Sequence, residues 1–120
     1  MTKINKNKKE KFFITGGMGY IGSVFAREAL KRGHDVCLYD SLVYEQHPDR
    51  ILKEISDGSN NLKLEHVIGD TRNKELLISS ITKFKPTYVV HLGELSSVHA
   101  CNHNPTFTES INFNASKQVL

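Results

Sequence analysis

No apolar run in this 120-residue chain approaches the roughly 20 residues needed to cross a bilayer, so a membrane-spanning helix is not expected. The first apolar stretch, "FFIT" at 12–15, is short and runs straight into glycines, which does not fit a secretory leader. Cysteine is scarce. Cys37 sits in an apolar run and Cys101 in a polar one, with no disulfide-framework spacing, so a cytoplasmic protein is expected. Basic charge is also scarce outside one place: residues 1–11, "MTKINKNKKEK", hold five lysines and one glutamate, while the rest has 11 basic against 12 acidic residues. The formal charge of +3 therefore belongs to a tail with almost nothing apolar to offset ordering. That tail reads as a disordered solubilising arm, and nucleic acid is not an expected partner.

The remaining residues, 12–120, suit one globular unit. Strand-length apolar runs alternate with helical periods, the pattern of βαβ units and a parallel sheet. Strands are predicted at 11–15, 35–40, 62–67 and 87–92. A helix over 20–32 places Ile21, Val24, Phe25, Ala29 and Leu30 inward and stops at Gly33. Further helices are predicted at 48–56 and 73–84, the latter ended by Pro86. A last helix from about residue 107 stays apolar to Leu120 without a stop signal, so the chain reads as ending inside a helix.

"ITGGMGYIGS" at 14–23 lies between the first strand and the first helix, the context that gives a glycine pattern meaning. Gly16 can take angles closed to other residues at the strand exit, Gly19 lets a phosphate near the backbone, and Gly22 lets the helix close on the strand. The amides of Tyr20 and Ile21 then face an anion. Asp40 ends the second strand, 18 residues after Gly22, where a carboxylate can accept from ribose hydroxyls. Ser41 and Leu42, which follow it in the same contact, supply no arginine for a 2′-phosphate, so NAD is expected rather than NADP. Taken alone, Asp40 would read as a solvated turn residue.

Together "TGGMGYIGS", "GHDVCLYDSL", "VIGDTRN", "VVHLGELSSV" and "INFNASKQVL" resemble the first part of an extended short-chain dehydrogenase/reductase, in the flavour of the NAD-dependent epimerases and dehydratases of nucleotide-sugars. The resemblance implies an incomplete Rossmann-type doubly wound parallel sheet, order 3-2-1-4, with NAD as cofactor. It places Asp70 by the adenine amino group with Thr71 beside it, and Leu92, Gly93, Glu94 and Ser96 along the cofactor. Asn112 matches the helix asparagine that helps organise the active site. Read from residues alone, Asp70 could cap the next helix, His91 could be a packed strand histidine, and Asn112 could be any polar helix residue.

Two departures stand out. The family usually has a small residue at Glu94; a carboxylate there marks a particular subfamily or weakens NAD binding, and sulfoquinovose-forming relatives have a similar Gly-Glu pair. Ser96 is closer to the serine of the 4,6-dehydratases than to the lysine frequent in 4-epimerases. The family's Tyr-x-x-x-Lys pair is missing: four residues after tyrosines 20, 39, 44 and 88 stand Val24, Val43, Pro48 and Leu92. By resemblance this chain is the cofactor half of an enzyme that moves a hydride from a nucleotide-sugar to NAD and back, without catalytic residues of its own. A non-catalytic NAD-binding or sensing module, or a truncated gene product, would share those features. The resemblance also implies a homodimer. His99, Cys101 and His103 in "HACNH" give only three metal-capable side chains with no fourth at usual spacing, and read as a polar loop.

Overall fold

The computed structural model describes residues 8–42, 48–56, 63–93, 106, 109 and 116–119. The elements in chain order are β1 (Lys11–Thr15), α1 (Tyr20–Lys31), β2 (Asp35–Asp40), α2 (Pro48–Ser56), β3 (Leu64–Ile68), α3 (Lys74–Phe84), β4 (Tyr88–His91) and the short α4 (Ser116–Val119). The four strands form one parallel sheet in the order β3-β2-β1-β4. β3 runs one residue further than the sequence predicts and starts two later, and β4 is trimmed by one residue at each end.

β2 is buried along Asp35–Tyr39 because both faces of this inner strand are covered. Its alternating side chains separate two cores. Ile14, Val36 and Leu38 pack with Ala26, Ala29 and Leu30 of α1 and Ile55 of α2. Phe13, Cys37 and Tyr39 face the other way, onto Leu77 and Phe84 of α3, with Val119 of α4 beside them. Helices on opposite faces make the fold doubly wound, and the change of face falls between β1 and β4, where strand order reverses.

One expectation about α1 is corrected. Ile21 and Val24 are 65% and 63% exposed, while Gly22, Ala26, Ala29 and Leu30 are buried. A Cβ on Gly22 would collide with the carbonyl oxygen of Gly16, so the helix lies too close to the strand exit for a large residue at its contact line. The small residues face the sheet, and the branched ones rotate outward. Phe25, half-buried, meets Phe12 edge to face at 5.4 Å.

Helix ends follow local chemistry. Gly33, at φ +85°, donates to Leu30 O, and His34 N donates to Ala29 O, closing α1 in a Schellman motif. Asn73 Oδ1 accepts from Leu76 N and caps α3. The cap is therefore Asn73, not Asp70. Before β1, Lys9 Nζ pairs with Asp35 Oδ1 at 2.9 Å and Glu10 N donates to His34 Nδ1, while residues 1–7 of the basic tail lie outside the described residues. No described helix is long and apolar enough to cross a membrane.

Candidate functional site

The carboxyl ends of β1, β2 and β4 and the segment after β3 meet beside the N-terminus of α1, the crevice where open α/β sheets take ligands. Gly16 turns the chain out of β1 at φ +67°. Its missing side chain makes room for β4's exit, since a Cβ there would stand 2.5 Å from Leu92 O. Gly19 is extended, and among the described residues its Cβ would meet only Gly16 O, at 3.2 Å, so these leave the space before the helix open.

The N-cap of α1, Gly19, has no side chain to cap it, and the first turn contains no acidic residue. Ser23 N donates to Gly19 O, so the amides of Tyr20, Ile21 and Gly22 precede the first i→i−4 bond. With the helix dipole behind them they suit an anion. Tyr20 itself is 90% exposed.

Asp40 stands across the turn. Its Oδ2 accepts from Met18 N at 2.9 Å and its Oδ1 from Leu42 N at 2.8 Å, which holds Leu42 at φ +63°. An ionised carboxylate has about four lone-pair sites, so one acceptor position remains on each oxygen for a vicinal diol. Ser41, exposed, lies between these partners in sequence.

After β3 the chain is fixed from several sides. Gly69 N donates to Asp40 O, and a Cβ on Gly69 would press 2.7 Å from the ring and hydroxyl of Tyr39. The Tyr39 hydroxyl donates to Asp70 O at 2.7 Å. Burial, reinforced by the nearby Asp70 charge, pushes that phenol up to about 12, so it remains a donor. Arg72 grips the Asp70 carboxylate through Nε and Nη2 and also donates its backbone amide, holding the carboxyl below its usual range. Thr71 is buried, with its methyl 3.3 Å from where a Gly93 Cβ would lie.

Sequence reasoning missed Thr15 as an organiser of the site. Its side chain is fully buried, and its Oγ1 accepts from Leu92 N at 3.0 Å and Gly93 N at 3.1 Å. Both lone pairs are then used, so the hydroxyl proton goes to His91 Nδ1, 2.6 Å away. His91 is thus the Nε2–H tautomer, and Nε2 donates to Ser116 Oγ at 2.8 Å. This chain joins β1, β4 and α4 behind the Leu92–Gly93 backbone. A hydroxyl residue preceding the first glycine and a histidine closing the fourth strand are its sequence signal.

The structure brings together Gly16, Gly19, Tyr20, Ile21, Gly22, Asp40, Ser41, Leu42, Asp70, Thr71, Leu92 and Gly93 at one end of the sheet. Glu94, Ser96 and Asn112 lie outside the described residues, as do His99, Cys101 and His103. Among the described residues no three His, Cys, Asp or Glu side chains gather as a metal site.

Known proteins resemble this chain in sequence and fold. The chain is 33% identical over 110 residues to CDP-paratose 2-epimerase of Salmonella typhi, covering 92% of this chain and 31% of that protein. It is 31% identical over 99 residues to a bifunctional UDP-glucose 4-epimerase and UDP-xylose 4-epimerase of Pisum sativum, covering 80% and 28%. The fold matches the crystal structure of UDP-glucose-4-epimerase from Stenotrophomonas maltophila, which has bound NAD and formylated UDP-arabinopyranose. That match has a TM-score of 0.82 at 24% identity and covers 92% of this chain and 32% of that one. The chain thus spans about a third of the length of these proteins. A sequence model of the NAD dependent epimerase/dehydratase family matches residues 12–120, which take in the glycine turn and all of the sheet but Lys11, and the chain belongs to that family.

Proposed function

We propose that this chain is the NAD-binding portion of a nucleotide-sugar epimerase or dehydratase. The observation that carries the reading is the uncapped N-terminus of α1 behind an open Gly19, facing a carboxylate whose free lone pairs suit a ribose diol. In this reading the amides of Tyr20, Ile21 and Gly22 hold the pyrophosphate. Asp40 takes the adenosine ribose hydroxyls with Ser41 and Leu42 alongside, and Asp70, with Thr71, takes the adenine amino group. Leu92 and Gly93 border the pyrophosphate and ribose, joined by Glu94 and Ser96, and Asn112 supports the active site.

NAD bound there supplies reversible hydride acceptance from a sugar carbon. The residues of this chain orient the dinucleotide, and none of them is assigned the proton transfer. The substrate is a nucleotide-sugar, consistent with the names of the relatives, and the assembly proposed from the family resemblance is a homodimer. The basic tail expected over 1–11 is shorter, since Lys9 pairs with Asp35 and Lys11 opens β1; the lysines before these are read as a solvated arm ahead of the cofactor-binding unit, in a cytoplasmic protein.

Titration of the protein with NAD and NADP tests the cofactor assignment. A 2′-phosphate brought against Asp40 meets like charge with no arginine at 41 or 42. NAD is expected to bind at least tenfold more tightly, and D40S is expected to narrow that gap. Equal or stronger NADP binding by the unaltered protein would sink the assignment.

A further inference from the structure

The Asp70 carboxylate is held more tightly than a surface acid requires. Oδ1 accepts from Arg72 N at 2.8 Å and Nε at 3.0 Å, and Oδ2 accepts from Nε at 3.1 Å and Nη2 at 2.6 Å. Since Nε is shared, three donors occupy about four lone-pair sites and one acceptor position remains. The backbone of Asp70 is fixed too, because its carbonyl accepts from both the Tyr39 hydroxyl and Asn73 N. A carboxylate fixed at main chain and head group has one orientation and a single direction in which to accept.

From this geometry we infer that Arg72 is the positioning residue for purine selection: its fork aims the last free lone pair of Asp70 and makes that site accept a 6-amino purine and reject a 6-oxo purine. The inference rests on the cofactor reading above. An exocyclic amine donates to that lone pair, whereas a carbonyl oxygen in the same place opposes the carboxylate's charge. Arg72 also keeps Asp70 ionised to lower pH, since its side-chain hydrogen bonds are the largest cause of the lowered carboxyl pKa. At 41% side-chain exposure Arg72 can be replaced without opening a core cavity.

The test compares binding of NAD with binding of nicotinamide hypoxanthine dinucleotide, in which the purine 6-amino group becomes a carbonyl oxygen and N1 carries a hydrogen. A hydrogen bond to a charged group distinguishes the two by about tenfold or more, so the unaltered protein is expected to prefer NAD by that margin. R72M is expected to cut the preference to below about threefold while both ligands still bind, and R72K, which keeps the charge but not the fork, is expected to fall between. In R72M the preference also fades at a higher pH than in the unaltered protein.

A purely structural role for Arg72 would weaken both ligands alike and leave their ratio unchanged. An unchanged ratio in R72M or R72K, with NAD bound by the unaltered protein, overturns the role of Arg72 alone. No NAD binding by the unaltered protein overturns the cofactor reading and this inference with it.

Discussion

Replacing Thr15 by valine keeps the shape of a fully buried side chain and removes one hydroxyl, so the loss is read as hydrogen bonding. The hydroxyl is the acceptor for Gly93 N, a second acceptor for Leu92 N, which also donates to Thr15 O, and the donor to His91 Nδ1. Leaving a buried donor without its acceptor costs about 1–3 kcal/mol, and the bond to His91 adds about 1 kcal/mol. T15V is therefore expected to lose about 2–4 kcal/mol, a large part of the ~5–15 kcal/mol that holds a domain together. T15S keeps the hydroxyl and loses one methyl, which costs about 1 kcal/mol. With a urea slope of ~2 kcal/mol/M, the midpoint of T15V falls by about 1–2 M and that of T15S by about half a molar. Nitrogen NMR of His91 supplies a second readout, with the proton expected on Nε2. A T15V protein no less stable than T15S, or a His91 proton on Nδ1, would refute the assignment of Thr15 as the pin between β1 and β4.

Two glycine-to-alanine changes should separate steric collision from backbone strain. G22A drives a Cβ into the Gly16 carbonyl, and overpacking of this kind costs about 1–3 kcal/mol and loosens the turn, so it weakens both the thermal midpoint and NAD binding. Among the described residues G33A meets nothing within 4 Å, but it must hold φ +85°, so it is expected to lower stability by about 1 kcal/mol and leave NAD affinity unchanged. Cys37, pushed up to about 12 by burial first and by Glu65 second, is expected to resist alkylation at pH 8 in the native protein and react on unfolding. Rapid native-state labelling of the peptide containing Cys37 would contradict its burial. The folded Asp70 carboxyl lies below its unfolded value, so its pairing stabilises above the unfolded pKa and is lost as pH falls through the folded one. The stability gap between unaltered protein and D70N should be full at pH 6–7 and close in acid, and a gap that grows in acid would reverse the sign.

The alternation of strands and helices and the glycine turn are legible because each rests on a local signal: an apolar run, a stop, a glycine between strand and helix; the sheet order came only with the family resemblance. What escaped depends on contacts distant in sequence. Ile21 and Val24 fit an inward stripe by periodicity, but the closeness of α1 to Gly16 and Gly17 turns the small residues inward. Thr15 and His91 are 76 residues apart, and only the β1–β4 register sets them side by side. The Tyr39–Asp70 bond likewise needs β2 and β3 paired before the phenol can reach the carbonyl. Gly16, Gly19, Gly22 and Asp40 were visible from their residue types in the strand–turn–helix context, and Asp70, Thr71, Leu92 and Gly93 through the family resemblance, whereas the supports behind them were not.

Those supports decide where an anion can sit. The glycine turn presents a row of amides, but Gly16 N donates to Tyr39 O, Met18 N to Asp40 Oδ2 and Gly19 N to Gly16 O. The amides that open α1 follow these, ahead of the helix's first internal bond. The turn's bonds are therefore divided by direction: backward to β2 for Gly16 and Met18, within the turn for Gly19, and outward at the start of the helix. The Met18 bond does a second job, because it ties the ribose carboxylate proposed at Asp40 to the loop that would carry the pyrophosphate. Removing that carboxylate in D40A should then loosen the turn as well as the ribose contact. Affinity should fall for ADP, which has both groups, by more than for adenosine, which has only the ribose. An equal loss for the two ligands would show that Asp40 acts on the ribose alone and that the turn holds its shape without it.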